Sequence, residues 1–345
     1  MRKLFCVLLG ATLLSSPALA EELSVVGSWS SLPLHRQFEA PFWGKTLPEA
    51  SKGQLTANIT TQDQASIAPG DVYRLLGEGV YDVAMTVADY AVADAPELEA
   101  LDVPLIALSA DQARAVTDAA RPMVEDIFKT RFNAHVLTIV PYPPQIIFCN
   151  KPVSGLSDLK GLKVRGSGRM TTKFLESLGA EATNIAFGEV PGALQKGVID
   201  CAITGGGSGY SAGWWEVSTH LLALPLGGWD YVVTAVNLDK WNSLSEETRQ
   251  MIEARIKTDF EDKVWASAQG ALENDIACLT GNGKCGSGEP RKMTLVDASP
   301  DDIKAAVEIL KTKVMPDWAQ RAGANWATRW NESISKVGGL TLTVN

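Results

Sequence analysis

Apolar positions along this chain follow two spacings, one suited to strands and one to helices, and the spacing switches repeatedly. Leu23 to Gly27 predicts a first strand, His35 to Ala50 a helix, Leu55 to Thr61 a strand, Gly70 to Gly79 a helix and Val80 to Val87 a strand. Ser109 to Arg131 predicts a helix, kinked or restarted at Pro122, before the apolar strand Ala134 to Val140. Tyr142-Pro143-Pro144 interrupts the pattern and marks a crossover. Beyond it, alternation resumes with helix Met170 to Leu178, strand Ala182 to Ile185, helix Val190 to Lys196 and strand Val198 to Ile203. Strands alternating with helices predict an α/β architecture rather than a bundle or a sandwich.

Three later stretches complete the pattern. Tyr231 to Val236 is β-rich and predicts a strand crossing back to the first half. Ser245 is an N-cap residue with Glu246 and Glu247 in the first turn. The helix it opens is predicted to run to Cys278, free of proline and free of glycine before Gly270, as a brace across two lobes. Ala305 to Arg321 predicts a last amphipathic helix.

The amino terminus has a different character. Arg2 and Lys3 precede the apolar run Leu4 to Leu14, and Ala18-Leu19-Ala20 precedes Glu21. A basic start, a short apolar core and an Ala-x-Ala ending predict a secretory signal over residues 1–20, cleaved after Ala20. The run is shorter than the roughly 20 residues of a membrane span. No cysteine follows Ala20 to take a lipid anchor.

The whole chain of 345 residues carries a formal charge of −9, and loss of Arg2 and Lys3 makes the mature protein more acidic still. That balance argues against nucleic acid and anionic membrane surfaces as partners. The length after cleavage suggests two lobes. Cys6 lies in the signal, which leaves Cys149, Cys201, Cys278 and Cys285. In an oxidising compartment an even count favours bridges. Cys278 and Cys285 bracket the turn-rich Leu-Thr-Gly-Asn-Gly-Lys, which leaves Cys149 to pair with Cys201. Zinc would need closer ligands and more histidines than His35, His135 and His220 supply.

Candidate chemistry concentrates in Asp158-Leu159-Lys160-Gly161-Leu162-Lys163-Val164-Arg165-Gly166-Ser167-Gly168. A dinucleotide fingerprint fails here, because Thr171 stands where its third glycine belongs. The chain shows no P-loop, zinc-protease signature or Gly-x-Ser-x-Gly elbow. An arginine at the carboxyl end of a parallel strand, followed by a helix start, suits a carboxylate in the crevice of an open sheet. An arginine facing water is the alternative on position alone.

The segment just quoted is joined by Leu178-Gly179-Ala180, by Phe187-Gly188-Glu189-Val190-Pro191-Gly192-Ala193-Leu194-Gln195-Lys196-Gly197-Val198-Ile199-Asp200 and by Glu216-Val217. Together they resemble the solute-binding proteins of tripartite ATP-independent periplasmic (TRAP) transporters, dicarboxylate-receptor (DctP) type. The resemblance is most specific from Asn150 to about Trp241. It implies two α/β lobes with a long helix across both: lobe one from 21–142 plus 232–270, lobe two from 143–231 plus 271–345. It also implies that Arg165 clamps a substrate carboxylate.

Carried over position by position, the resemblance points to Phe187 and Thr204; a desolvated Arg165–carboxylate pair also needs hydrogen-bonding supports, for which Ser167, Arg169 and Thr204 are the candidates. In lobe one the resemblance points to Ser28, Trp29 and Ser30 and to Met85, Thr86 and Val87; Trp229, where the chain re-enters that lobe, is a further aromatic candidate. A second arginine frequent in the family falls at Gln145, so a second ligand carboxylate lacks its partner. The metal-dependent branch shows an acid–tryptophan pair where Ile203-Thr204 stand here, which implies no metal and no cofactor. The expected protein is a monomeric periplasmic receptor for a monocarboxylate with an apolar or aromatic body, serving transporter membrane subunits and performing no chemistry. A periplasmic lyase or hydrolase, or a receptor coupled to a sensor, is the alternative on the same fold.

Overall fold

The computed structural model describes residues 20–343. The signal expected over 1–20 therefore lies outside the described residues except for Ala20 itself.

Among the described residues, eleven strands form two sheets. The first contains β1 (Glu21–Gly27), β2 (Leu55–Thr61), β3 (Val83–Val87), β4 (Ala134–Val140) and β10 (Val232–Asn237), in the order β2-β1-β3-β10-β4. The second contains β5 (Gln145–Cys149), β6 (Lys163–Gly166), β7 (Glu181–Asn184), β8 (Cys201–Gly205), β9 (His220–Leu222) and β11 (Thr294–Val296), in the order β11-β9-β5-β8-β6-β7. Each sheet has a parallel portion, β2-β1-β3 in one and β8-β6-β7 in the other. The strand that arrives from the opposite lobe runs antiparallel to its neighbours: β10 against β3 and β4, β5 against β8 and β9. The central strands β3, β5 and β8 are buried along their whole length, as strands covered on both faces are.

The two crossovers lie side by side. Tyr142 N–H donates to the Trp229 carbonyl and Gln145 N–H to that of Gly228, each at 2.9 Å. Pro141, Pro143 and Pro144 fix their own φ angles and give this connection little freedom.

Helix α1 (Ala110–Phe132) is capped by Ser109, runs on through Pro122 and ends at Asn133 in the left-handed region. Helix α2 (Arg169–Leu178) starts at Gly168 and stops at Gly179, φ 94°. The long brace departs from the expectation of one helix to Cys278. It is helical over 246–268, including a π-helical turn at Lys257–Glu261, and then breaks. Gln269 is extended and Gly270 takes φ 66°, after which Ala271–Thr280 forms a second leg. The first leg lies on sheet one, where Trp265 Nε1 donates to the Ile139 carbonyl at 3.2 Å. The second reaches sheet two, where Asp275 accepts from Gly207 N–H at 2.6 Å. The brace spans both lobes, with its bend at their boundary.

Strands β3 and β8 begin later than their sequences suggested, and for one reason. Val80 and Val198 each follow a positive-φ glycine, Gly79 or Gly197, and are more than half exposed. The final helical run is longer than expected, covering 300–322. It ties the lobes together: Arg321 pairs with Glu99 beside sheet one, and Asp317 pairs with Lys173 of α2 at 3.3 Å. Helices Ala324–Glu332 and Ile334–Gly338 follow, and the sequence pattern did not reveal them.

Both disulfides form as expected, Cys149–Cys201 and Cys278–Cys285. Cys149 and Cys201 stand directly opposite on β5 and β8, so the first bridge staples the middle of sheet two.

Candidate functional site

Strand β6 is paired in parallel with β7 on one side and β8 on the other, and Arg165 is its third residue. Only 2% of Arg165 is exposed. Its Nε donates to the Ile185 carbonyl at 3.0 Å and its Nη1 to the Ile203 carbonyl at 2.5 Å. The guanidinium thus bridges the two flanking strand ends. Burial pushes its pKa down, while Tyr90, Asp230 and Asp89 beside it act in the opposite sense.

The glycines after Arg165 serve close approach. A Cβ on Gly166 would stand 2.7 Å from the Thr172 nitrogen, and one on Gly168 would stand 1.7 Å from Asp89 Oδ2. Thr171, which spoils the dinucleotide pattern, closes the α2 start: its Oγ1 accepts from Gly168 N–H at 2.9 Å.

A cavity of about 440 Å³ lies where the two sheets' strand ends face each other. Trp29, Asp89 and Tyr90 line it from the first lobe, and Arg165, Ser167, Arg169 and Phe187 from the second. The Trp29 and Phe187 rings approach to 5.6 Å across the gap, and Phe187 stacks on Trp214 at 5.4 Å. The Tyr90 hydroxyl sits beside both Trp29 and Arg165. A larger groove of about 580 Å³ runs between Pro33, Tyr142, Ser208 and Asp275. Its arginine, Arg36, is exposed, and its buried acid, Asp275, is already bonded to Gly207, so it lacks the buried cation that defines the smaller cavity.

Five sequence-predicted residues meet at this cavity: Arg165, Trp29, Ser167, Arg169 and Phe187. The others lie elsewhere. Ser30 is turned to Asp63, bonding it through N–H at 3.0 Å and Oγ at 2.5 Å. Thr86 is buried and donates to Gln62 Oε1 at 2.9 Å. Thr204 is buried within β8, opposite Ile146. Trp229 is buried and donates its indole N–H to the Ala107 carbonyl at 2.9 Å. Gln145 is fully buried, gives Nε2 to the Gly227 carbonyl at 2.6 Å and lies beside the Asp230 carboxyl. Ser28 is likewise buried and receives the Tyr142 hydroxyl at 3.0 Å.

Asp89 and Tyr90 were missed. They follow the apolar β3 as Arg165 ends β6, so the rule that selects Arg165 also selects them. Asp89 belongs to a group of acids around the crossovers. Asp102 accepts the Trp229 and Asp230 N–H groups at 2.7 and 2.9 Å. Burial, and then repulsion from Asp230, pushes its pKa up to about 8. Burial likewise pushes Asp230 up to about 7, with Arg165 opposing. Asp89 is raised well above the usual range by burial first, then by Asp230, Asp102 and Glu99.

Two α/β sheets joined by paired crossovers, with a buried arginine on the cavity between them, define a two-lobed solute-binding protein. Residues 30–314 match the model of the bacterial extracellular solute-binding protein family 7, DctP, and the chain belongs to that family. It is 25% identical over 332 residues to the C4-dicarboxylate-binding periplasmic protein DctP of Rhodobacter capsulatus, covering 94% of this chain and 96% of that one. Among solved structures it is similar to DctP7, a Bordetella pertussis extracytoplasmic solute receptor binding pyroglutamic acid, with a TM-score of 0.80, 22% identity and coverage of 93% and 100%. It is equally similar, at TM-score 0.80 and 18% identity, to a TRAP periplasmic solute-binding protein from Desulfovibrio salexigens with bound orotic acid, covering 92% of this chain and 98% of that one. At these identities the structural likeness establishes the fold.

Proposed function

We propose that this protein is the periplasmic receptor of a TRAP transporter, closing on a small organic acid anion and passing it to the membrane subunits. The observation that carries the reading is Arg165, buried on the cleft cavity and oriented by the Ile185 and Ile203 carbonyls. Nη2, engaged by neither carbonyl, is left to meet a ligand carboxylate, and the water-poor surroundings strengthen that contact. Ser167 and Arg169 stand beside it as supports. Trp29 and Phe187 supply apolar walls, which favours an acid with an apolar or aromatic body. Family membership supports binding rather than turnover. The relatives that hold pyroglutamic and orotic acids agree with a compact acid as ligand.

Gln145 separates this chain from a dicarboxylate receptor. It brings no cation, and its neighbour Asp230 is an acid. The cavity's other arginine, Arg169, is exposed, so a second carboxylate buried in the cleft would have no buried cation, at a cost of several kcal/mol. We therefore expect monocarboxylates to bind about a hundredfold or more tighter than their dicarboxylate analogues. A thermal-shift screen over keto, hydroxy, aromatic and dicarboxylic acids, followed by calorimetry, tests this. The bound acid should be recovered chemically unchanged. Equal affinity for matched mono- and diacids would remove the monocarboxylate assignment, and release of a reaction product would replace the receptor with an enzyme.

A further inference from the structure

We infer that the acid taken by this cleft carries a hydrogen-bond donor next to its carboxylate, and that Asp89 is the residue that reads this donor. The inference rests on the receptor reading above and narrows its substrate class. Asp89 follows β3 on lobe one, Arg165 lies in β6 on lobe two, and both line the one cavity. The Asp89 carboxyl reaches across the gap, with Oδ2 in the space that a side chain on Gly168 would need. Its Oδ1 is buried and has no hydrogen-bond partner among the described residues. Arg165 makes no hydrogen bond to it; its Nε and Nη1 donate to the Ile185 and Ile203 carbonyls.

The neighbouring acids are accounted for differently. Asp102 takes two backbone N–H groups, and Glu99 is held by Arg321. Asp230 also keeps a buried oxygen without a partner, Oδ1, but it lies against Gln145 and Arg165 and does not line the cavity. Asp89 is therefore the acid that presents an unmet acceptor to whatever fills the cleft. In either protonation state a carboxyl keeps an acceptor oxygen.

Candidate ligands sort by what they place against that oxygen. A plain carboxylic acid leaves it unpaired, a 2-keto acid brings no donor to it, and a diacid adds a second anion. A hydroxyl, an amide N–H or an ammonium near the carboxylate satisfies Asp89 while Arg165 holds the acid. These three share the chemistry that the site reads, and the arms of one experiment separate them.

The experiment is calorimetric titration of the full-length secreted protein with matched acids. Mandelate, phenylglycine, phenylacetate and phenylglyoxylate form one set, and 5-oxoproline with cyclopentanecarboxylate the other. In at least one set the donor-bearing acid should bind about tenfold or more tighter than its donor-free partner, the scale of an unmet buried acceptor. Preference for phenylglycine identifies the ammonium, for mandelate the hydroxyl and for 5-oxoproline the amide. Asp89→Ala should reduce that preference to less than about twofold while donor-free acids bind no more weakly than before. Equal binding within both sets, a preference for phenylglyoxylate, or a preference that survives Asp89→Ala overturns the inference and leaves the receptor reading standing. If no acid binds, in these sets or in the wider screen, both fall together. The wild-type ranking decides the matter without any variant, so poor folding of Asp89→Ala would not shield it.

Discussion

Arg165 on the second sheet and Asp89 on the first face the same cavity, yet the structure holds them differently. Strand β8 alone contributes the staple Cys201, the Ala202 register partner of Arg165 and the Ile203 carbonyl that receives Nη1. A second carbonyl, Ile185, fixes the other side of the guanidinium. Asp89 stands on a short turn, Ala88–Ala91, that is joined to the return crossover by Ala88 N–H and the Tyr231 carbonyl at 2.9 Å. No disulfide crosses sheet one among the described residues. The cation is thus set in place before a ligand arrives, whereas the acid keeps an unmet oxygen. Preorganisation of the charged anchor lowers the ordering cost of binding, and an opposite wall with an unmet acceptor suits the lobe closure proposed above.

The strongest test of this contrast is Arg165 itself. Arg165→Ala should weaken binding of the best acid by about thirty- to several-thousand-fold, from roughly 2–5 kcal/mol for a buried hydrogen-bonded charge pair. It should also lower stability, because the Ile185 and Ile203 carbonyls lose their donor, by about 1–3 kcal/mol for each carbonyl left unsatisfied. Arg165→Lys retains charge and loses the planar fork, so it should recover little of the affinity. Calorimetry with the best acid, accompanied by circular dichroism, measures both effects. A folded Arg165→Ala protein with wild-type affinity would mean that the anchor lies elsewhere in the cleft.

The disulfides carry the next largest effect and compare the rigid sheet with a surface loop. Cys149 and Cys201 are 52 residues apart, Cys278 and Cys285 only 7. By the loop-entropy relation the first bridge stabilises by about 4 kcal/mol and the second by about 2.5 kcal/mol. The paired serine variants should therefore differ in denaturation midpoint, with Cys149→Ser/Cys201→Ser the weaker. It should also lose more ligand affinity, since β8 carries the Ile203 acceptor. The oxidised protein should show no free thiol after denaturation without reductant. Two or more titratable thiols, or equal losses in the two variants, would detach the staple from the site.

Much of this contrast could be read in the sequence, and what was missed follows a physical pattern. β3 and β4 announce themselves as apolar runs because nearly every residue is buried on both faces. β9 and β11 span three residues each, too few to show a period, and exist through their neighbours. Arg165 was found because a strand end and a glycine loop flank it. Asp89 ends an equally apolar strand and was passed over for Thr86, three residues earlier, which the structure turns into the core toward Gln62. Which face a side chain takes at a strand end depends on register. For the same reason Thr204, Gln145 and Trp229, singled out by position along the chain, make their contacts away from the cavity. The break in the brace needed an extended Gln269 beside Gly270, and a glycine alone does not specify that.

The last expected effect is a slope of stability with pH, and it arises from the acid side of the comparison. Asp102, Asp230 and Asp275 are raised to about 8, 7 and 7, in each case by burial first, and Asp89 is raised as well. In the unfolded chain these groups titrate near 3.9. Between about pH 4 and pH 8 the folded protein therefore binds more protons than the unfolded one, and stability falls as pH rises. The acids with lowered values, among them Asp63, Asp200, Asp302 and Asp317, lose their contribution below 3.8, outside this window. The melting temperature should accordingly be higher at pH 5 than at pH 8. Asp89→Asn removes one of the raised groups, so it should flatten the slope and stabilise the protein most at the alkaline end. Arg165→Lys should not flatten it, because the charge opposing Asp230 and Asp89 is retained. A melting temperature that climbs from pH 5 to pH 8 in the wild type would show that these carboxyls titrate normally, and the acid wall would then be ionised and solvated rather than held in reserve for a ligand.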